Sequence, residues 1–532
     1  MRTRRKLTAI AAALTAFASM AAWGGAAPAA AAGPALLPLS ITNNTGRADA
    51  VHLYVLGVNL STGKLGYVNA AGGFTAWGPG GTPPVPAPDV SIAGPGNGGT
   101  TTIQVPRGMS GRVYFSLGER LKFLLAPGGL VQPAPWAGGD ANRNALFDWS
   151  EFTYNDAGLW LNSSQVDMFA VPHTVSVTAG SGAVKSTGSL VPGGRDKVIN
   201  GIKAQPGWGG SIQTRSDGTV LRVLAPGKAA DAGQLGSGYL DPYISSAWNA
   251  YTGRVLTVVP FADQSNTRYF GRTSGTVMNF TDRTGRQVAS FRKPTSANVW
   301  GCDGALGAPN DRVVGPIART LCAALNRGTL GRIDTQPGGT GGDFYRSNPT
   351  NQYAKLVHAN MADGKAYAFA FDDVGNFESL VNDGSPRAAG ITLNSFTGGG
   401  SRPSASGTKL VSDWNDKCID VPKRNFSDGV RLQTFTCNGT VAQDWTFTGD
   451  TLRVPNNMCM DVAGGSRENR IPIQIATCSG SPAQKFVLTA AGDLVNPQAG
   501  KCVDIKAWNG DDRAPLILWD CAGTANQKWH RG

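Results

Sequence analysis

The chain has 532 residues, too many for one hydrophobic core, so at least two domains are expected. Its 71 glycines and 32 prolines argue for a mainly β protein of short strands and many turns. The formal charge of +12 is scattered, with no long basic block, which argues against a nucleic-acid-binding arm.

The amino terminus reads as a secretory signal peptide over residues 1–32. MRTRRK is a basic region, LTAIAAALTAFASMAAW an apolar one, and APAAAAG supplies small residues for cleavage near Ala32. Thr3, Lys6 and Leu7 fit a twin-arginine signal loosely, so the general secretory route is preferred. No later apolar run approaches the length of a membrane span. The mature protein is therefore expected to be secreted, extracellular and without a membrane partner.

Residues 33–394 form the expected large domain. PLSITNNTGRADAVHLYVLG reads as strand, turn and strand. Next comes ALFDWSEFTYNDAGLWLNSSQVDMFA, residues 145–170, where four acids meet two tryptophans. Alternation through WSEFTYN puts Trp149, Glu151, Thr153 and Asn155 on one face. A hairpin turning at Asp156 and Ala157 places Glu151 opposite Asn162 and leaves Asp167 five residues on, roughly 16 Å along a straight strand. The chain must bend between Leu161 and Val166 if the two acids are to cooperate. Asp167, between Val166 and Met168, is expected to be partly buried with a raised pKa; Asp148 reads as a solvated strand end and Asp156 as a turn residue.

Two later stretches have helical spacing, YLDPYISSAWNAY (239–251) and NDRVVGPIARTLCAALNRG (310–328). They predict a mixed α/β part inserted in the β domain and stapled by Cys302 and Cys322. KAYAFAFDDVGNFES then reads as an alternating strand running into Asp372 and Asp373, acids that belong either to a groove or to the turn before Gly375. The domain has no GxSxG, HExxH or GxxxxGK[ST], and the chain's four histidines lie far apart. Carboxylate chemistry remains, and glycoside hydrolysis needs two carboxylates.

At these residues the chain resembles a family. EFTYNDAGLWLNSSQVD is similar to the signature of the glycoside hydrolase family 64 β-1,3-glucanases, the laminaripentaose-producing type, and ITNNTG and YAFAFDDV resemble the related thaumatin-like fold. The resemblance implies a thaumatin-like β-barrel or sandwich carrying the inserted α/β subdomain. It implies an inverting, endo-acting enzyme that releases short laminari-oligosaccharides, with Glu151 as general acid and Asp167, sixteen residues on, as general base. Thr153, Asn155, Trp160, Ser164, Asp372 and Asp373 would line the glucan groove. The rival reading is a glucan-binding thaumatin-like protein without turnover.

Residues 395–408, SFTGGGSRPSASGT, have the composition of a flexible linker. Residues 409–532 then repeat a unit: KCIDV to CNGTVAQDW, MCMDV to CSGSPAQKF, KCVDI to CAGTANQKW. Cys418 and Cys437, Cys459 and Cys478, and Cys502 and Cys521 are each nineteen residues apart, as expected for disulfides in an exported protein. The absence of CxxC and the few histidines argue against a metal, and no cofactor is expected.

This segment resembles the ricin B-type β-trefoil, a carbohydrate-binding module with Gln-x-Trp repeats. By that resemblance the third lobe has the best sugar site, with Asp504, Trp519 and Asn526, and the first a weaker one, with Asp420, Phe435 and Asn438. The middle lobe has Ala476 in place of the aromatic platform and is expected to bind nothing, while the closing glutamines and aromatics are core features. The expected partners are a β-1,3-glucan substrate and a second glycan at the trefoil, with the chain a monomer.

Overall fold

Leu37, Leu39 and Ile41 are buried while Pro38, Ser40 and Thr42 between them are half-exposed, the period of a strand with one face on a core. That strand, β1 (Leu36–Asn43), lies in the first of the two sheets that form the sandwich of the large unit. In this computed structural model, residues 33–396 and 409–532 are described, apart from 439, 449, 455–457 and 490. The expected signal peptide and residues 397–408 of the expected linker fall outside them. The described residues divide into two compact units, one within residues 1–403 and the other within 404–532.

The second sheet contains β2 (Val51–Asn59), and β3 (Thr100–Pro106) returns to the first, antiparallel to β1. The second sheet continues with β4 (Met109–Leu117), β5 (Leu146–Asn155) and β6 (Gly158–Ser163), paired in the order β2, β4, β5, β6. The first sheet adds β7 (His173–Ala179) before the inserted part; after it, β8 (Leu380–Asp383) joins the edge of β6 and β9 (Pro386–Leu393) runs between β1 and β7. Phe115 of β4 contacts His173 of β7, ring centroids 4.9 Å apart. The β4 face bearing Val113 and Phe115 therefore looks into the sandwich, and the face bearing Arg112 and Tyr114 looks out of it.

Between β7 and β8 the chain leaves the sandwich for helices and small sheets. Helices Asp241–Asn249 and Val314–Asn326 form where the helical spacing indicated, with Gly328 at φ 69° just past the second. A five-stranded sheet runs Gln287–Arg292, Val277–Thr281, Tyr269–Ser274, Leu256–Val258 and Thr335–Gln336. Cys302 is bonded to Cys322 on the long helix. One sequence expectation fails: residues 365–371 form no strand. Their turns are held by Ala366 N–H donating to Phe377 O and Asp372 N–H to Phe369 O, and Tyr367 alone makes an isolated bridge, to Ser164. Among the described residues no helix is long and apolar enough to cross a membrane.

The second unit is the predicted threefold repeat. Lys417–Asp420 pairs with Gln433–Thr436, Met458–Val462 with Ile473–Thr477, and Lys501–Ile505 with Ala514–Asp520, and a disulfide joins the first strand of each pair to the residue just beyond the second. Ile419, Met460 and Val503 contribute equivalent side chains to one shared core, which no single repeat is large enough to enclose.

Candidate active site

Glu151 stands in the middle of β5, on the outward face of its sheet. Arg112 of β4 and Asn162 of β6 lie directly across from it on either side; Tyr114 opposes Trp149, and Ser110 and Trp160 flank Thr153. Residues opposed across an antiparallel ladder share a face. The polar row read from alternation is therefore a surface, and Arg112 adds a cation at its centre.

The hairpin has the predicted register. Asn155 pairs with Gly158 around Asp156 and Ala157, and Asn155 Oδ1 accepts Ala157 N–H at 2.9 Å. Gly158 has φ +120°, and a Cβ there would lie 2.2 Å from Asp383 O, so this turn needs glycine. β6 then ends at Ser163, and the chain bends. Ser164 bridges Tyr367, Gln165 N–H donates to Tyr367 O at 2.9 Å, Gln165 Oε1 accepts Tyr367 N–H at 3.0 Å, and Tyr353 Oη donates to Gln165 O at 2.6 Å. Beyond the bend Asp167 O accepts Ala225 N–H at 3.0 Å, and Met168–Phe169 pairs with the Val220–Leu224 strand. Asp167 thus sits at the corner where the chain passes from one sheet to another.

That corner faces Glu151. Arg112 Nε donates to Glu151 Oε1 at 3.0 Å, and Arg112 Nη2 lies 3.0 Å from the same oxygen and 3.6 Å from Asp167 Oδ2. From contacts of 3.0 and 3.6 Å on one nitrogen, those two carboxylate oxygens are at most about 6.6 Å apart. Lys228, on the short helix Pro226–Asp231, approaches Asp167 Oδ1 at 3.2 Å and lies 4.6 Å from the Trp136 ring centroid. The Arg112 guanidinium lies 4.6 Å from the Trp149 ring centroid, and its Nη1 donates to Gln132 Oε1 at 2.9 Å.

The environment drives the two acids in opposite directions. Burial pushes the Glu151 carboxyl above its ordinary range; Arg112 opposes the rise without cancelling it, and the Asp167 charge adds to it. Asn162 is close enough to favour the charged form, yet neither of its amide atoms makes a hydrogen bond of normal geometry. Burial acts on Asp167 too, but Lys228 and Arg112 together outweigh it and hold that carboxyl below its usual range. The expectation of a raised Asp167 is corrected by these two cations.

The remaining predicted residues separate into three groups. Trp160 is half-buried on the Glu151 face, and Asn155 is half-buried at the hairpin end. Thr153 and Ser164 are 3 % and 1 % exposed: Thr153 shares a 2.8 Å hydrogen bond with Ser110 Oγ, and both residues lie beneath the groove surface. Asp372 is a correction. It is fully buried, with Oδ1 3.0 Å from Arg327 Nη2 and Oδ2 2.8 Å from His358 Nε2, and Oδ2 also accepts Ala368 N–H at 3.0 Å. Those bonds tie its turn to two helices and leave no oxygen facing a sugar. Asp373 lies on the same turn and is ion-paired with Arg319 of the Val314–Asn326 helix. Asp148, expected to be solvated, is 1 % exposed on the inward face and accepts N–H groups of Ala170 at 2.8 Å and Val171 at 3.0 Å.

Sequence reasoning passed over Arg112, Lys228, Gln132 and Glu378. Arg112 had a signal, a lone charge inside the otherwise uncharged MSGRVYFSL. Lys228 had none, because its helix reaches Asp167 only through tertiary structure. Burial pushes Glu378, just before β8, up to about 7, and its Oε2 is buried without a hydrogen-bond partner.

Residues 35–393 match the family model Glyco_hydro_64, described as beta-1,3-glucanase. The chain belongs to glycoside hydrolase family 64. It is similar to a glucan endo-1,3-beta-glucosidase of Arthrobacter sp. (strain YCWD3), 44% identical over 461 residues that cover 84% of this chain and 83% of the relative. Among solved structures, a laminaripentaose-producing beta-1,3-glucanase in complex with laminaritetraose is 54% identical, with a TM-score of 0.66, covering 68% of this chain and 99% of that one. A family 64 domain from Clostridium beijerinckii, 23% identical with a TM-score of 0.57 and covering 69% of this chain and 100% of that one, shares the fold.

The family 64 domain is followed by a match of residues 406–529 to the ricin-type beta-trefoil lectin domain. In this lectin domain the three aspartates differ in one detail. Gln433 Nε2 donates to Asp420 Oδ1 at 2.8 Å and Gln474 Nε2 to Asp461 Oδ1 at 2.9 Å, each from directly across the hairpin. In the third lobe that place belongs to Ile517, and Asn526 and Gln527 both donate to Asp504 Oδ2, at 2.8 and 2.9 Å. Asp504 Oδ1 accepts no hydrogen bond among the described residues. Trp519 and Phe435 are half-buried beside their disulfides, and Arg470 lies 5.5 Å from the Trp519 ring centroid. Asn438 is exposed, with Oδ1 accepting Thr440 N–H at 3.1 Å inside its own turn. Gln443, Gln484 and Gln527 each accept a turn N–H and donate to a strand carbonyl, and the Trp445 and Trp529 indoles donate to Ile419 and Val503 carbonyls within the core.

Proposed function

We propose that Glu151 and Asp167 are the catalytic acid and base of this chain, which is an endo-acting β-1,3-glucanase with a ricin-type lectin domain. One observation carries the assignment: a single guanidinium lies between both carboxylates, at 3.0 and 3.6 Å, while their surroundings push the Glu151 carboxyl up and the Asp167 carboxyl down, as an acid and a base require. Glu151 gives its proton to the glycosidic oxygen as the bond from C1 breaks. Asp167 takes a proton from a water whose oxygen bonds to C1 on the opposite face, and the hydroxyl left on C1 has inverted configuration. Trp160 and Asn155 supply an apolar face and an amide at the accessible end of the groove, the two kinds of surface that a sugar ring presents partners for.

Release of a pentaose is supported by the likeness to a laminaripentaose-producing enzyme. Secretion is supported by the signal-like first 32 residues and by four disulfides. We read the chain as a monomer whose lectin domain takes a second glycan. The rival, a glucan-binding protein without turnover, is disfavoured by the paired acid and base. The test is hydrolysis of laminarin by Glu151→Gln and Asp167→Asn. Each is expected to lose at least about 100-fold in kcat, the scale of a removed acid or base, and the wild-type product is expected to appear as the α-anomer by NMR. Wild-type turnover by either variant would remove that residue from the pair.

A further inference from the structure

We propose that Arg112 is the positioning residue of the catalytic pair: one guanidinium that orients both carboxylates and selects the oxygen of each that takes part in the reaction. This inference rests on the assignment of Glu151 and Asp167 above. Arg112 Nε donates to Glu151 Oε1 at 3.0 Å, and Nη2 lies 3.0 Å from the same oxygen. In a protonated carboxyl the oxygen that accepts an N–H group of a cation is the carbonyl oxygen, not the hydroxyl. The acidic hydrogen of Glu151 is therefore carried on Oε2, and Oε2 is the atom that protonates the leaving oxygen.

At Asp167 the division is complementary. Lys228 holds Oδ1 at 3.2 Å, whereas Arg112 Nη2 stands 3.6 Å from Oδ2, near enough to favour its charge but beyond hydrogen-bond length. Oδ2 is thus the oxygen left to accept a proton from water. The guanidinium is itself fixed. Its Nη1 donates to Gln132 Oε1 at 2.9 Å, the same oxygen accepts Tyr114 Oη–H at 2.7 Å, and its plane lies over Trp149. Arg112 also belongs to the central strand β4, directly across the ladder from Glu151, so no loop motion separates them. A planar fork can address two carboxylates at once, which a lysine ammonium on a flexible stem does less well.

The rival explanation is a buried arginine that only neutralises two acids for the sake of the fold. The two roles differ in how the pH profile responds. Glu151 is faced by Arg112, Asp167, Asn162 and the Tyr114 and Tyr367 hydroxyls; Asp167 is faced by Lys228, Arg112, Glu151 and the Tyr114 and Tyr353 hydroxyls. Arg112 favours the charged form of both acids and Lys228 that of Asp167 alone.

The experiment measures kcat/KM on laminarin against pH for the full-length wild type, Arg112→Gln and Lys228→Met. Arg112→Gln is expected to move both limbs to higher pH, the acid limb by about one unit or more, and to lower kcat about 100-fold with KM little changed. Added guanidinium should restore part of that loss. Lys228→Met should move the acid limb only. Limbs of Arg112→Gln that stay at their wild-type positions, or a basic limb that moves equally in both variants, would overturn the proposal. If Arg112→Gln does not fold, Gln132→Ala keeps the charge but unpins Nη1: lower kcat with unmoved limbs supports the role, and unchanged kcat overturns it. Glu151→Gln and Asp167→Asn run alongside. Activity in either refutes the pair itself, whereas two inactive controls with unmoved Arg112→Gln limbs refute Arg112 alone.

Discussion

Asp148 and Glu151 sit three residues apart on one strand and face opposite sides of it, so the same residue class meets two environments. Burial pushes Asp148 up to about 7 from an ordinary 3.8, against the Val171, Ala170 and Trp149 N–H groups that favour its charge. The folded chain therefore binds this proton more tightly than the unfolded one. The stability it contributes is complete below about pH 4 and is lost as pH rises through about 7, each unit of separation being worth about 1.4 kcal/mol. Asp148→Asn keeps an acceptor for the N–H groups and removes the titration. Its melting temperature is expected to fall less than that of the wild type between pH 4 and pH 7, and parallel curves would refute this account. Asp148→Ala, which orphans buried N–H groups, should cost about 3 kcal/mol at pH 4, where the wild-type carboxyl is fully protonated, and less at pH 7. At this scale the sequence was legible where a local motif surrounded the residue, as at Glu151. It misled where alternation alone was available: Asp148 lies just before one alternating run and Asp372 ends another, and only the tertiary fold shows that Ala170, Arg327 and His358 close over them.

The hairpin and the bend show the same division between elements. Asn155, Asp156, Ala157 and Gly158 contain the chemistry of a tight turn, so the register that opposes Glu151 to Asn162 follows from local residues. The bend at Ser164 and Gln165 is made by Tyr367 and Tyr353, some two hundred residues away, and no local pattern encodes it. The failed strand at 365–371 is the counterpart of that bend, because Tyr367 bonds across to Gln165 where a strand would bond in regular register. In the lectin domain the repeat was readable from cysteine spacing alone, but the difference among its lobes depends on which residue opposes the aspartate. Gln433 and Gln474 occupy Asp420 and Asp461, while Ile517 leaves Asp504 Oδ1 open. Trp519→Ala is therefore expected to weaken binding of the domain to insoluble glycan by about tenfold or more, the effect of losing a stacking platform with its burial, whereas Phe435→Ala should cost less. An equal loss from both, read by pull-down on insoluble glucan, would show that the occupied aspartate of the first lobe is no handicap.

Across the whole molecule, the proposed catalytic pair and its cations come from the family 64 unit alone, since Glu151, Asp167, Arg112 and Lys228 all lie before residue 229. The lectin unit encloses its own core and its own three disulfides, so each unit has what it needs to fold separately. A second domain that adds no residue to the reaction acts on rate by raising the local concentration of substrate at the groove. That effect disappears when the substrate is soluble and already uniform in concentration. Deletion of residues 397–532 is accordingly expected to leave kcat/KM on soluble laminarin within about twofold of the full chain, and to lower the rate on an insoluble β-1,3-glucan at low loading by about tenfold or more. Raising the loading of the insoluble glucan should close that gap, because surface concentration then no longer limits encounter. If the deletion instead lowers activity on soluble laminarin, the lectin domain contributes to the groove itself; if it alters neither rate, the lectin domain binds a glycan that is not attached to the glucan being cut.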